Sequence, residues 1–351
     1  MELASTPLVR KVAKVFALSG KLIDAQPFGN GHIHDTYRLE TAEGPIRHTY
    51  ILQRFNHQVF NRPALVMQNI LRVTTHLQQQ GCITPRLVLT RQGEPYYKAS
   101  DGFCWRVLTF VANTYTIEEV QNENQAYEAA RCFGNFARQL STLPLHQVHE
   151  TIPRFHDLSH RYAQFTQALP QAFPERVEKA AEAIRLIEQR VTLRNQVADV
   201  LPTLPLRVLH NDTKVNNVLL HNDTHQGVCA IDLDTVMPGY VLYDFGDMVR
   251  TFVSPVPEDA RQLDGVIVRK HIFEALTKGY LQAWGAELQE VEKQSLWLGA
   301  RLMPYMIGMR FLTDYLQGDV YYKTTYAEHN LDRAMNQLTL LTRLEAFLEL
   351  R

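Results

Sequence analysis

Cysteine is scarce in this chain. Cys82, Cys104, Cys132 and Cys229 are far apart and form no C-x-x-C pair. That excludes a disulfide framework and a cysteine-built zinc site, and it points to reduced core thiols in a cytoplasmic protein. An excess of one charge is also missing, because 36 Lys and Arg stand against 37 Asp and Glu. With a net charge of −1, neither nucleic acid nor an anionic membrane is an expected partner, and a small molecule is. No apolar run approaches the roughly 20 residues of a membrane-spanning helix. Glu2, Arg10, Lys11 and Lys14 interrupt the N-terminal apolar residues, so this stretch reads as an amphipathic surface helix and not as a signal peptide. The pairs His32-x-His34 and His221-x3-His225 have no cysteine partners, which argues against structural zinc. G-x-x-x-x-G-K-[ST] is absent as well, so P-loop enzymes are excluded.

What is present is ordinary in bulk. The 351 residues, 45% apolar and 21% charged, suit a globular protein long enough for two lobes. Short β-rich runs at 22–28, 36–40, 49–55, 86–90 and 104–111 are separated by turn signals such as Gly29-Asn30-Gly31 and Arg91-Gln92-Gly93. One helix is expected among them from Pro63 to Gln80, with proline at its start and Gly81 just past its end. From Glu118 on, apolar spacing of three and four residues predicts helices near 123–141, 158–168, 174–199, 258–284, 287–317 and 329–350. Only residues 207–234 depart from this, as two short strands joined by a turn at His221-Asn222-Asp223. The expected architecture is α+β and bilobal. A β-rich N-terminal lobe spans residues 1–112, a helical C-terminal lobe spans 113–351, and a cleft divides them.

The chemistry concentrates in the departing stretch. His210, Asp212 and Asn217 have the spacing H-x-D-x-x-x-x-N, and Asp232 follows Asp212 by twenty residues, after Ala230-Ile231. Phosphoryl transfer needs a carboxylate to orient or deprotonate the attacking hydroxyl, and hard oxygen ligands for magnesium on the phosphates. Asp212 suits the first role, and Asn217 and Asp232 suit the second. Lys214 is placed to stabilise charge on the transferring group. A plain turn followed by a solvated strand end is the competing reading, and the joint spacing of three residues disfavours it. Asp244-Phe245-Gly246 spells D-F-G but lies twelve residues beyond Asp232. Asp244 therefore reads better as an acceptor for backbone N–H groups of the catalytic loop. Gly29 and Gly31 permit a turn that lies close over nucleotide phosphates, with a simple hairpin turn as the alternative.

At these residues the chain resembles the aminoglycoside phosphotransferase and choline kinase superfamily, which has a protein-kinase-like fold. Within it, the N-acetylhexosamine 1-kinases are the most similar group. That narrower resemblance rests on the phrases Tyr50 to Asn56, His210 to Lys214, Ile231 to Gly239, Tyr243 to Asp247 and Arg310 to Tyr322. It implies a small antiparallel-sheet N-terminal lobe, a large mainly helical C-terminal lobe, ATP as phosphoryl donor, and Mg2+. It also implies Asp212 as base and Asn217 with Asp232 as magnesium ligands. The acceptor would be held by Asp212, Asp232, Thr235, Arg310 and Tyr321. Phe110 and Val111, where the strand from Trp105 leads into the second lobe, would meet the adenine.

Two features depart from that pattern or compete with it. The third strand offers Gln53 and Arg54 where kinases place a Lys, and helix 63–80 has no acid, with Gln68 the nearest counterpart to the usual Glu. Gln53 and Arg54 point to opposite faces of a strand, and either one can be the residue facing the nucleotide. Read by itself, Arg310 would pair with Asp314 at i,i+4 as a solvated salt bridge. The expectation is a cytoplasmic kinase that acts on N-acetylglucosamine or N-acetylgalactosamine. It would be a monomer or small homo-oligomer without nucleic-acid or membrane partners. Two alternatives stand beside it. One is a kinase of the same superfamily for an aminoglycoside, amino alcohol or other sugar, for which a cationic acceptor would need an acidic pocket. The other is a nucleotide-binding protein of this fold without turnover, supported by the missing Lys/Glu pair.

Overall fold

The computed structural model describes residues 6–29, 34–56, 60, 62–100 and 102–350. They form two compact units that alternate along the chain. Unit 1 comprises Met1–Thr114, Thr142–Ile152 and Ile231–Met237, and unit 2 comprises Tyr115–Ser141, Pro153–Ala230 and Pro238–Arg351.

Unit 1 is built on an antiparallel sheet. Its strands are β1 (Lys21–Pro27), β2 (Asp35–Glu43), β3 (Ile46–Phe55), β4 (Leu87–Val88), β5 (Tyr97–Lys98) and β6 (Cys104–Thr109). They lie in the order β1-β2-β3-β6-β4, with β5 on β6. Alternation along the strands sorts the side chains by face. Tyr37, Leu39, Tyr50, Leu52, Trp105 and Val107 form one buried cluster with Val9, Val12 and Phe16. The first two of these last three lie on the amphipathic helix α1 (Thr6–Ala13). The register pairs Thr36 with Gln53 and Gln53 with Arg106, so these three share the opposite face. Helix α2 (Pro63–Gln79) starts at proline as expected and buries Val66, Ile70, Val73 and Leu77 at helical spacing.

Unit 2 is mainly helical. Its elements are α3 (Glu123–Gln139), α4 (Leu158–Ala168), α5 (Pro174–Lys179), α6 (Ala181–Glu188) and α7 (Thr192–Val200), followed by α8 (Val241–Phe252), α9 (Lys270–Trp284), α10 (Glu290–Leu316) and α11 (His329–Glu349). Between α7 and α8, residues 207–209 are extended, and Val218–His221 pairs with Gly227–Ala230 as a hairpin. The expected helix 174–199 is three helices, although Ala180, Ala183, Ile187, Leu193 and Val197 still join one core cluster. Apolar spacing reports which face is buried, not whether the backbone continues. Likewise 258–284 is helical only from Lys270. Helix α8 was not expected, although Val241, Leu242, Phe245, Met248, Val249 and Phe252 recur at helical spacing; its polar residues Asp244, Asp247 and Arg250 are buried as well. Its Gly246, the glycine of the literal D-F-G, serves packing. A Cβ there would run into the Gly299 carbonyl of α10.

Candidate active site

The H-x-D-x-x-x-x-N loop lies in unit 2. After Arg207–Leu209 the chain turns at Asn211, whose φ is 63°, a left-handed conformation that Asn tolerates better than most residues. Asp244 holds this turn from α8. Its carboxylate accepts from the backbone N–H of His210 (3.2 Å) and of Asn211 (2.8 Å). The Asp244 carbonyl accepts from the Thr213 hydroxyl at 2.6 Å. From the other side His156 donates its Nε2–H to the Asn211 carbonyl at 3.0 Å. Burial pushes its pKa down to about 3, which keeps the ring neutral for that role. Asp244 thus clamps the loop through its backbone, the contact its spacing led one to expect.

Within this clamp, Asp212 sits 3.3 Å from the Lys214 ammonium. Burial opposes the charge on Asp212, but Lys214, with His210 and Arg250, overcomes it and holds the carboxyl below its ordinary value. Asp212 in turn raises Lys214 to about 12. Asn217 donates its Nδ2–H to the Asp212 carbonyl (2.9 Å) and carboxylate (3.2 Å). Its Oδ1 accepts nothing among the described residues, so the amide presents an oxygen of the kind a hard cation takes.

The end of α10 does not carry the i,i+4 pair that its sequence suggests. Asp314 instead accepts from the backbone N–H of Val320 (3.0 Å), Tyr321 (2.8 Å) and Tyr322 (2.9 Å), and from Asn330 Nδ2 (2.9 Å). Four donors on one carboxylate outweigh a single solvated pair, so Asp314 turns to the loop it organises. Arg310 is left stacked on Phe155 (5.2 Å) and Tyr322 (5.8 Å) and has no carboxylate partner among the described residues. Arg161 lies close enough for Arg310, after burial, to help lower its pKa to about 10. Tyr321 is half exposed on the Asp314-bound loop.

Unit 1 carries the rest of the expected residues. Asp232 has a φ of 59°, and the chain continues through buried Asp234 and Thr235. Arg106 gives two parallel hydrogen bonds to Asp234, one to each oxygen, the NH2 bond being 2.9 Å. Its Nε–H donates to Gln53 Oε1 at 2.8 Å. Arg54 donates to Asp35 at 2.6 Å and lies over the Phe103 ring, on the face away from Arg106. Of the two residues left open, Gln53 therefore shares the polar face and Arg54 does not. Gln68 is exposed and binds His149 at 2.9 Å, so it is no counterpart to a kinase Glu. Its neighbour Asn69 points inward and donates to the Val236 carbonyl at 2.9 Å. Gly29 has a φ of 74°, and Gly31 lies outside the described residues. Phe110 packs edge-on against Phe28 at 6.3 Å, and the Val111 carbonyl accepts from Thr114 at 2.8 Å. Spacing revealed neither Arg106 nor Asp234 as partners; the one available signal was an Arg in the otherwise apolar run from Cys104 to Val111.

An antiparallel sheet unit, a helical unit and a clamped H-x-D-x-x-x-x-N loop define a phosphotransferase of protein-kinase-like fold. Residues 24–293 match the phosphotransferase enzyme family, and the chain belongs to it. Among solved structures it is similar to a microcompartment-associated aminopropanol kinase, with 16% identity, 98% of each chain covered and a TM-score of 0.65. A spectinomycin phosphotransferase in complex with ADP and spectinomycin has 13% identity over 98% of this chain and 99% of that one, with a TM-score of 0.59. The ethanolamine kinase of Plasmodium vivax has 12% identity over 90% of this chain and 82% of that one, with a TM-score of 0.55. At these identities the likeness is one of fold. Among the described residues no helix is long and apolar enough to cross a membrane.

Proposed function

We propose that the protein is an ATP- and magnesium-dependent kinase that phosphorylates the anomeric hydroxyl of an N-acetylhexosamine, N-acetylglucosamine or N-acetylgalactosamine, to give the sugar 1-phosphate. The observation that carries the choice of acceptor is Arg310, a guanidinium stacked between rings with no acid beside it. Its N–H groups suit the hydroxyl and amide oxygens of a neutral sugar. An aminoglycoside or amino alcohol would bring further positive charge to a region that already holds Arg310 and Arg161, which disfavours those acceptors. Tyr321 and Thr235 take the remaining acceptor roles. The similar phosphotransferase solved with ADP supports an adenine nucleotide as donor, with Gly29, Gly31, Gln53, Phe110 and Val111 as the groups meeting it.

In the reaction the anomeric oxygen attacks the γ-phosphorus, the bond from that phosphorus to the ADP oxygen breaks, and the hydroxyl proton passes to Asp212. An Asp212 held ionised by Lys214 is a weak base, suited to a loose transition state in which the proton leaves late. Lys214 offsets charge on the transferring group. Magnesium, when bound, would supply further neutralisation of the phosphate oxygens, and Asp232 and Asn217 are the hard oxygen donors by residue type that would take it. The test is turnover on a panel of free sugars, kanamycin, choline and ethanolamine with ATP. Sugar 1-phosphate from the two N-acetylhexosamines is the expected product. Phosphorylation of an amine acceptor with none of the N-acetylhexosamines would sink this assignment.

A further inference from the structure

The polar face of the sheet of unit 1 holds a buried cation in Arg106. We propose that Arg106 and His34 are positioning residues that act through Asp234 to hold Asp232 in the conformation it needs as a cation ligand. This arrangement rests on the assignment of Asp232 made above.

The geometry is that of a short segment tied down on several sides. Arg106 grips both oxygens of Asp234, and His34 Nε2 lies 2.6 Å from Oδ2. The backbone N–H of Asn56 donates to His34 Nδ1 at 3.1 Å, so Nε2 carries the proton that His34 gives to Asp234. Thr151 donates to the Asp234 carbonyl at 3.2 Å, and Asn69 donates to the Val236 carbonyl at 2.9 Å. These ties come from β6, the residue before β2, α2 and the segment 142–152. Asp232, two residues ahead of Asp234, has a left-handed backbone that residues other than glycine seldom adopt. A segment pinned at Asp234 and Val236 leaves little freedom for that backbone to relax. The planar guanidinium fixes the plane of the Asp234 carboxylate as well as its place, which a lysine ammonium would not do.

The same contacts exclude a simpler reading. His34, Asp232 and Asp234 each bring a ligand atom within 4.8 Å of the others, a spacing that a metal ion could use. Both oxygens of Asp234 and both ring nitrogens of His34 are already engaged within the protein. Asp234 and His34 therefore serve to orient the segment that carries Asp232.

The experiment uses the full chain with Asp232→Asn, Arg106→Lys and His34→Phe. His34→Phe keeps the ring stacked on Phe55, 5.0 Å away, while removing the bond to Asp234. Manganese affinity in the presence of ADP is read by electron paramagnetic resonance, with circular dichroism as the check on folding. Asp232→Asn should abolish manganese binding. Arg106→Lys and His34→Phe should weaken it by about 10- to 100-fold, as removal of groups orienting a metal ligand does, with the circular dichroism spectrum unchanged. If Arg106→Lys fails to fold, His34→Phe decides. Folded variants at 34 and 106 that bind manganese as tightly as the wild type would overturn the proposal. Undiminished binding by Asp232→Asn would instead overturn the assignment of Asp232 itself.

Discussion

Arg106 and Arg310 are both shielded guanidiniums in a protein of the phosphotransferase enzyme family, and they are used in opposite ways. Arg106 is almost wholly buried, and its donors go to Asp234 and Gln53. Arg310 is half-buried, stacks on Phe155 and Tyr322, and meets no acid among the described residues. A charge whose partners are internal holds structure in place. One whose neighbour at i+4 has been drawn off to bind backbone N–H groups keeps its donors for something from outside. Asp314 makes that difference, because its four donors keep it from Arg310.

Several substitutions can break this contrast. The largest effect on stability is expected from Arg106→Met, which strands a buried carboxylate at Asp234. A loss of about 3–5 kcal/mol should appear in urea unfolding. Arg310→Met should change stability by no more than about 1 kcal/mol and instead raise the acceptor KM by about 10- to 100-fold, the worth of a charged hydrogen bond. Steady-state kinetics with each substrate varied separates these outcomes, and equal stability losses for the two variants would erase the distinction. For Asp314→Asn, the loop at 320–322 loses a charged acceptor. An intermediate rise in acceptor KM is expected, with the KM for ATP unmoved. A pH-dependent effect concerns Asp244, whose pKa burial raises from 3.8 to about 6. Because the folded value exceeds the unfolded one, its contribution to stability is complete below about pH 4 and is lost as pH rises through 6. The unfolding free energy of Asp244→Asn, followed over that window, should lack this decline.

The outline of the molecule was legible because local patterns are short-range. Period-two runs marked β2, β3 and β6, Pro63 and Gly81 bracketed α2, and the spacing of Asp212 to Asn217 marked a turn-bound loop. Even the D-F-G at Asp244 was distinguishable by its distance from Asp212, and the structure gives it the clamp role that distance implied. Most of what escaped was set by burial. Helix α8 carries an apolar stripe that was passed over, and its polar face is buried beside it. The run 174–199 shows one apolar face across three helices. Arg310 and Asp314, four apart on one helix, looked like partners until the loop beyond the helix supplied better donors for Asp314.

The sequence by itself determined the family, the α+β class, and the residue types and spacing of a phosphoryl-transfer loop, since these depend on neighbours within about twenty positions. Only the tertiary structure decided which side chains are engaged. Arg106, Asp234 and His34 come from three distant stretches and meet on one face of a sheet, where burial makes an unpaired charge costly and so enforces their pairing. The separation of Arg310 from Asp314 was decided in the same way, by a competition for hydrogen bonds that no helical periodicity records.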